Sequence, residues 1–314
     1  MHKVVTFILL ACVLAVFSAS PALAQDDDKA AEPEAAPQQE SKPAKSNLPL
    51  NFYGRNGLFF ANSTHVLDSL DVEPGVGYIY QSSAEPEYTS HTIAANVAFG
   101  LPKRVALHLH IPVVMTDLEY GERINAINVP VRDFSKKSKT DFGSIRGGVT
   151  WAFFQQDRFL PGMALDVTFI APTGDYTQKI SDVKYYGFDI NFALSLEIID
   201  LFFTDYAFAV FGDASLVLSD MLVEEQEYEE KHGVVHAGML FPLHPRNFLN
   251  LIFEYEGVLM RGTTNDDDLS GFIGGFRFIT NRIGVTAGAE YLITEAGDMD
   301  DAFRVIANGS YRFW

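Results

Sequence analysis

Apolar side chains recur at every second position along most of this chain, and that period limits what it can fold into. In YYGFDINFALSLE, Tyr186, Phe188, Ile190, Phe192, Leu194 and Leu196 alternate with Tyr185, Gly187, Asp189, Asn191, Ala193, Ser195 and Glu197. A strand sends successive side chains to opposite faces, whereas a helix repeats every 3.6 residues. The closing run FRVIANGSYRFW behaves alike. Phe303, Val305, Ala307, Gly309, Tyr311 and Phe313 share one parity, and only Ile306 interrupts the polar residues of the other.

Twelve segments carry the period: about 73–81, 91–100, 104–115, 142–154, 162–171, 184–197, 204–216, 231–242, 248–261, 269–279, 283–294 and 303–314. They are close to the 9–11 residues, or somewhat longer, that a tilted membrane-crossing strand uses, and exceed the 5–6 of ordinary sheets. The links alternate too. LPK, QDRFLPG, PLHPRN and TN are short, whereas 116–141, 172–183, 217–230, 262–268 and 295–302 are long or acidic. A secreted β-sandwich accounts for alternation but not for strand length, link asymmetry or an aromatic end. A barrel in lipid accounts for all of them, because backbone groups in hydrocarbon must be paired all the way round. The expected fold is all-β: a single antiparallel transmembrane barrel over 71–314, with twelve strands, short periplasmic turns and long outer loops.

The N-terminus fits that setting. His2 and Lys3 precede an apolar stretch from Val4 to Phe17 and then Ala22-Leu23-Ala24, the form of a secretory signal peptide over 1–24. The single cysteine, Cys12, lies inside it, so no disulfide framework is expected in the mature chain. Residues 25–50 are rich in charge, Ala, Pro and Gln and read as a disordered periplasmic leader. The next stretch, NFYGRNGLFFANSTHVLDSL (51–70), is too apolar for a free tail. It is expected to plug the bore, to line the periplasmic mouth or to add a strand pair. A net charge of -18 argues against nucleic acid as a partner.

Several stretches resemble a known family. DFGSIRGGVTWAFFQ (141–155) with LPGMALDVTFIAPTGDYTQ (160–178) is similar to the outer-membrane transporter family named after the meta-pathway of phenol degradation. The shared features are a Gly-rich strand, a turn, and a strand ending in Pro172-Thr173-Gly174. AFGLPKRVALHLHIPV (98–113) adds a Gly-Leu turn and a strand ending at Pro112. The last strand resembles the C-terminal signature of outer-membrane barrels that the insertion machinery reads, here Tyr311 and Phe313 with Trp314 one place beyond. The resemblance implies a Gram-negative outer-membrane barrel for small, often hydrophobic or aromatic compounds.

The inward parity supplies the candidate lining: Arg104, His108, His110, Arg146, Asp166, Asp189, Glu254, Glu256, Arg277 and Glu290. Such a ring of mixed charge filters solutes by field and hydrogen bonding. Two alternate histidines are too few to hold a metal, so neither metal nor cofactor is expected. Ser195, His236 and Asp213 share the inward parity but lie on separate strands, so no catalytic residue is assigned. The expected function is passive, porin-like passage of a small solute, with outer-membrane lipid as surroundings; the pattern sets no oligomeric state. The alternatives are a barrel enzyme acting on lipid or peptide, and a structural or adhesion barrel.

Overall fold

The computed structural model describes residues 48, 50–83, 88–118, 137–157, 160–174, 186–199, 207–218, 231–243, 248–261, 269–280, 282–294 and 302–313. The signal peptide, most of the leader, Trp314 and most of the long connections lie outside these residues.

The described chain is all-β. Its strands are β1 (Val72–Ser83), β2 (Tyr88–Leu101), β3 (Val105–Leu118), β4 (Lys137–Phe142), β5 (Ile145–Phe154), β6 (Gly162–Ala171) and β7 (Gly187–Ile199). They continue with β8 (Ala207–Leu218), β9 (Lys231–Pro242), β10 (Leu249–Arg261), β11 (Leu269–Ile279), β12 (Ile283–Thr294) and β13 (Ala302–Tyr311). Each pairs antiparallel with its neighbours, β2 pairs both β1 and β3, and β1 pairs β13, so the sheet closes. The two pieces β4 and β5 share one place in the wall. Both pair with β3, β5 along Val105–His110 and β4 along Val113–Leu118, with the break at Gly143 and Ser144. The barrel therefore has the twelve expected strand positions.

The polar run KSKTDF made β4 invisible to an apolar period; its ladder to β3 holds it in the sheet. Elsewhere the alternation follows the burial. Ile190, Phe192 and Leu194 are exposed on the outer face, while Asp189, Asn191, Ala193 and Ser195, which alternate with them, are buried. On β13, Phe303 and Val305 face outward, and Ile306, Asn308 and Ser310 are buried. Past β13 the chain makes one more antiparallel contact. Phe313 exchanges backbone hydrogen bonds of 2.7 and 3.1 Å with Val72, which carries the seam to the bottom of β1.

Residues 50–70 lie inside this wall. Leu58, Phe59 and Ala61 are fully buried, in a cluster with inward residues of β1, β2, β8–β11 and β13. Leu48 and Leu50, placed in the leader by composition, are also buried; their apolar side chains belong with the interior segment.

Candidate functional site

The interior segment is folded by one amide. Asn51 Oδ1 accepts hydrogen bonds from the backbone N–H groups of Tyr53 and Arg55, both at 3.0 Å. Its Nδ2 donates at 3.0 Å to the Phe60 carbonyl and to Asn62 Oδ1. Asn51 thus turns the chain and then joins the two arms of the turn, a common role for Asn side chains. Gly54 adopts φ +79°, a left-handed conformation that costs glycine little.

Buried charges tie this hairpin-like segment to the wall. Glu254 on β10 accepts from three successive backbone N–H groups: Phe59 at 2.9 Å, Phe60 at 3.0 Å and Ala61 at 2.7 Å. Asp213 on β8 accepts from the next one, Asn62, at 2.6 Å. Those amides have no ladder to join, and buried donors left unpaired cost about 1–3 kcal/mol each. Arg277 donates to the Gly57 carbonyl. In the opposite sense, Arg55 projects from the segment between two wall carboxylates, 2.8 Å from Asp189 and 3.1 Å from Asp166. It also donates to Thr168 Oγ1 at 2.8 Å. His65 bonds Glu197 at 2.8 Å, and Thr64 bonds Ser195.

Shape completes the contact on one side. A Cβ at Gly238 would sit 2.2 Å from Leu58 Cδ1, and one at Gly288 would sit 2.4 Å from Phe59 Cζ. Gly275 at 2.6 Å from Phe59, and Gly77 at 2.8 Å from Phe52, are equally tight. The wall has glycine sockets where the segment has its large apolar side chains. Ile252, Ile273, Ile306 and Phe211, all inward, pack in the same cluster. On the other side the wall presents Ala98, Ala106, Ala164 and Ala193, and a cavity lies between it and the segment.

The expected lining residues take up different places. His108, His110, Arg146, Asp166, Asp189, Glu254, Glu256, Arg277 and Glu290 are all buried at inward positions. His108 Nε2 meets Asp166 Oδ2 and His110 Nδ1 meets Asn96 Oδ1, each at 2.8 Å. Arg146 lies over the ring of Tyr53 in the interior segment, 4.6 Å from its centroid. Above Phe60, Arg304 reaches Glu290 at 3.1 Å and Glu256 at 3.7 Å. Arg104 is the exception. It sits exposed in the β2–β3 turn with φ 62°, one residue before the strand begins, so its parity has no meaning there.

His236 and Asp213 are 2.9 Å apart, but Ser195 bonds Thr64 of the segment instead. Thr173 of the Pro-Thr-Gly stretch donates to the Gly143 carbonyl, fastening the rim at the β4–β5 break. Asn51, Arg55 and Glu73 escaped the period because two lie before the first strand and one at its start. The turn-rich spelling NFYGRNG was the available signal.

No family model matches the chain, and no curated protein matches it. Among solved structures, LpxR from Salmonella typhimurium gives TM-score 0.46 at 10% identity, covering 77% of this chain and 99% of that one. The NanC porin gives 0.45 at 9% identity, covering 76% and 98%. An outer membrane channel from Pseudomonas putida F1 gives 0.56 at 11% identity, covering 80% of this chain and 98% of that one. At such identities the likeness concerns the fold alone, and the fold this chain shares with the Pseudomonas channel is the closed antiparallel barrel of an outer-membrane protein.

Proposed function

We propose that the chain is an outer-membrane channel for passive passage of a small solute, with residues 51–70 as a plug seated in its bore. The observation that carries this reading is the pairing of two opposed faces around a built interior. The outer face is apolar and aromatic, as lipid requires, and the inner face is polar but already engaged by the chain's own segment. Among the described residues, the plug's bonds run to six wall strands, which suits a controlled bore better than an open pore.

The family resemblance over 95–180 favours an aromatic or otherwise hydrophobic solute. A compound of that size needs the plug displaced, since Leu58, Phe59 and Phe60 occupy the apolar part of the bore. Signal-peptide export, an outer-membrane location and recognition of Tyr311, Phe313 and Trp314 by the insertion machinery belong to the same reading.

Purified protein in planar bilayers should show small conductance, and deletion of 51–70 should enlarge it. A large conductance, unchanged by the deletion, sinks the plug.

A further inference from the structure

Arg55 occupies a site on the wall that it fills incompletely. The carboxylate of Asp189 on β7 is buried, and among the described residues it is bonded to nothing but Arg55. Its Oδ2 accepts from the guanidinium at 2.8 Å, while its Oδ1 has no partner. Asp166 on β6 is better served by the wall. Thr150 and Thr168 donate to it at 2.6 and 2.7 Å, and His108 Nε2 meets it at 2.8 Å. A buried carboxylate without a partner is far costlier than a buried neutral group. Asp189 therefore depends on a cation that the wall does not supply.

The occupant makes all these bonds through one nitrogen. Arg55 Nη2 reaches Asp189, Asp166 and Thr168 at 2.8, 3.1 and 2.8 Å, and Nε has no partner. A guanidinium is a planar fork whose parallel N–H groups match both oxygens of a carboxylate, and that bidentate pair is the stronger one. Here one oxygen of Asp189 and one edge of the fork stay unmatched. The backbone is the cause, because the Arg55 N–H is fixed to Asn51 Oδ1 at 3.0 Å and the side chain must approach from there. A free molecule has no such tether. Two carboxylates against one guanidinium also turn anions away. An ammonium is a point charge and lacks the fork.

We propose that Asp189 and Asp166 form a receptor site for a solute bearing a guanidinium or amidinium group, with Arg55 as its built-in competitor. By pairing with both oxygens of Asp189, the solute takes the place of Arg55 and frees the charged flank of the plug. The inference rests on the plug reading and adds a basic head group to the aromatic or apolar solute.

The test uses the full-length protein with Ser63→Cys, a near-isosteric change at a buried position of the plug on that flank. The only native cysteine is Cys12. The rate of modification by a charged methanethiosulfonate reads how often the flank opens. Benzylguanidinium, benzylammonium and benzyl alcohol are the probes. At about 10 mM, ten times a millimolar dissociation constant, benzylguanidinium should speed modification about tenfold, because a ligand of the open flank multiplies its population. Benzylammonium should do much less and benzyl alcohol nothing. Arg55→Met with Asp166→Asn and Asp189→Asn removes occupant and site together, and there benzylguanidinium should have no effect. No acceleration overturns the inference. So does an equal effect of either other probe, or an effect that persists in the triple variant; each leaves the channel standing.

A second measurement needs no cysteine. With 51–70 deleted the site is bare, and benzylguanidinium should block the current at a concentration well below that of benzylammonium. Equal block by the two overturns the guanidinium class. The plug reading fails on a different observation, a conductance that the deletion leaves unchanged.

Discussion

The plug meets the two sides of its barrel by different means. Along β8–β13 and β1 shape is added to buried hydrogen bonds: Phe52, Leu58 and Phe59 enter glycine sockets among inward isoleucines, while Glu254, Asp213 and Arg277 hold the segment's backbone. Along β2–β7 it is mostly one of charge, with Arg55 held by Asp166 and Asp189 across a wall of alanines. Shape fixes position, because a close-packed contact resists a shift of even one methylene. Charge fixes orientation but tolerates space around it. A plug held this way is close-packed on one flank and borders a water-sized cavity on the other.

The sharpest way to break the comparison is to fill the sockets. Gly238→Leu should expel the plug and raise bilayer conductance to that of the 51–70 deletion, because its Cβ would stand 2.2 Å from Leu58 Cδ1 while the nearest wall backbone, the Phe253 carbonyl, is 3.4 Å away. Gly274→Leu is the internal control. Its Cβ meets nothing within 4 Å on the outer face, so conductance and stability should stay at the wild-type level. Expulsion by both changes alike would mean that glycine content, and not the socket, seats the plug.

A smaller effect is expected on the charged side. Arg55→Met strands two buried carboxylates and should cost about 3–5 kcal/mol, read as a lower urea midpoint for unfolding of the barrel. Adding Asp166→Asn and Asp189→Asn should recover much of it. No recovery would show that Arg55 acts by packing and not by charge.

The smallest separates neighbouring glycines on β5. A Cβ at Gly148 would stand 2.5 Å from Thr168 Oγ1 and 2.7 Å from His108 Nε2, while one at Gly147 would find only ordinary contact, 3.6 Å from Leu109 Cδ1. Gly148→Ala should lower stability by about 1–3 kcal/mol, and Gly147→Ala by under about 0.5 kcal/mol. Equal losses would remove the case for crowding around His108.

The period of two was enough to read the wall, because a side chain's parity is a local property of the strand. It carried the outward Phe303 and Val305 and the inward Asp189 and Glu254 alike. It failed where locality fails. Arg104 has the parity of His108 yet belongs to a turn, and KSKTDF pairs without any apolar face. The partners of the inward residues were beyond its reach. Arg55 and Asp189 are 134 residues apart, and Glu254 is 195 from Phe59. Ile306, which looked like a lapse in the polar parity of the last strand, is an inward residue packed in the same cluster as Phe52 and Phe59.

The Glu73 carboxylate sets an order of events. Its Oε1 accepts from the Leu50 N–H at 3.2 Å and from Ser310 Oγ at 2.6 Å, and its Oε2 accepts from Arg312 at 2.8 and 2.9 Å. Three parts of the chain meet at that one group: the plug's entry, the first strand, and the end of the last strand with the residue past it. The plug leaves the ribosome before any strand, yet its anchorage at Glu73 is incomplete until the final strand has come round. Contacts of such long sequence separation form late. A segment translated before every strand is therefore among the last to be secured.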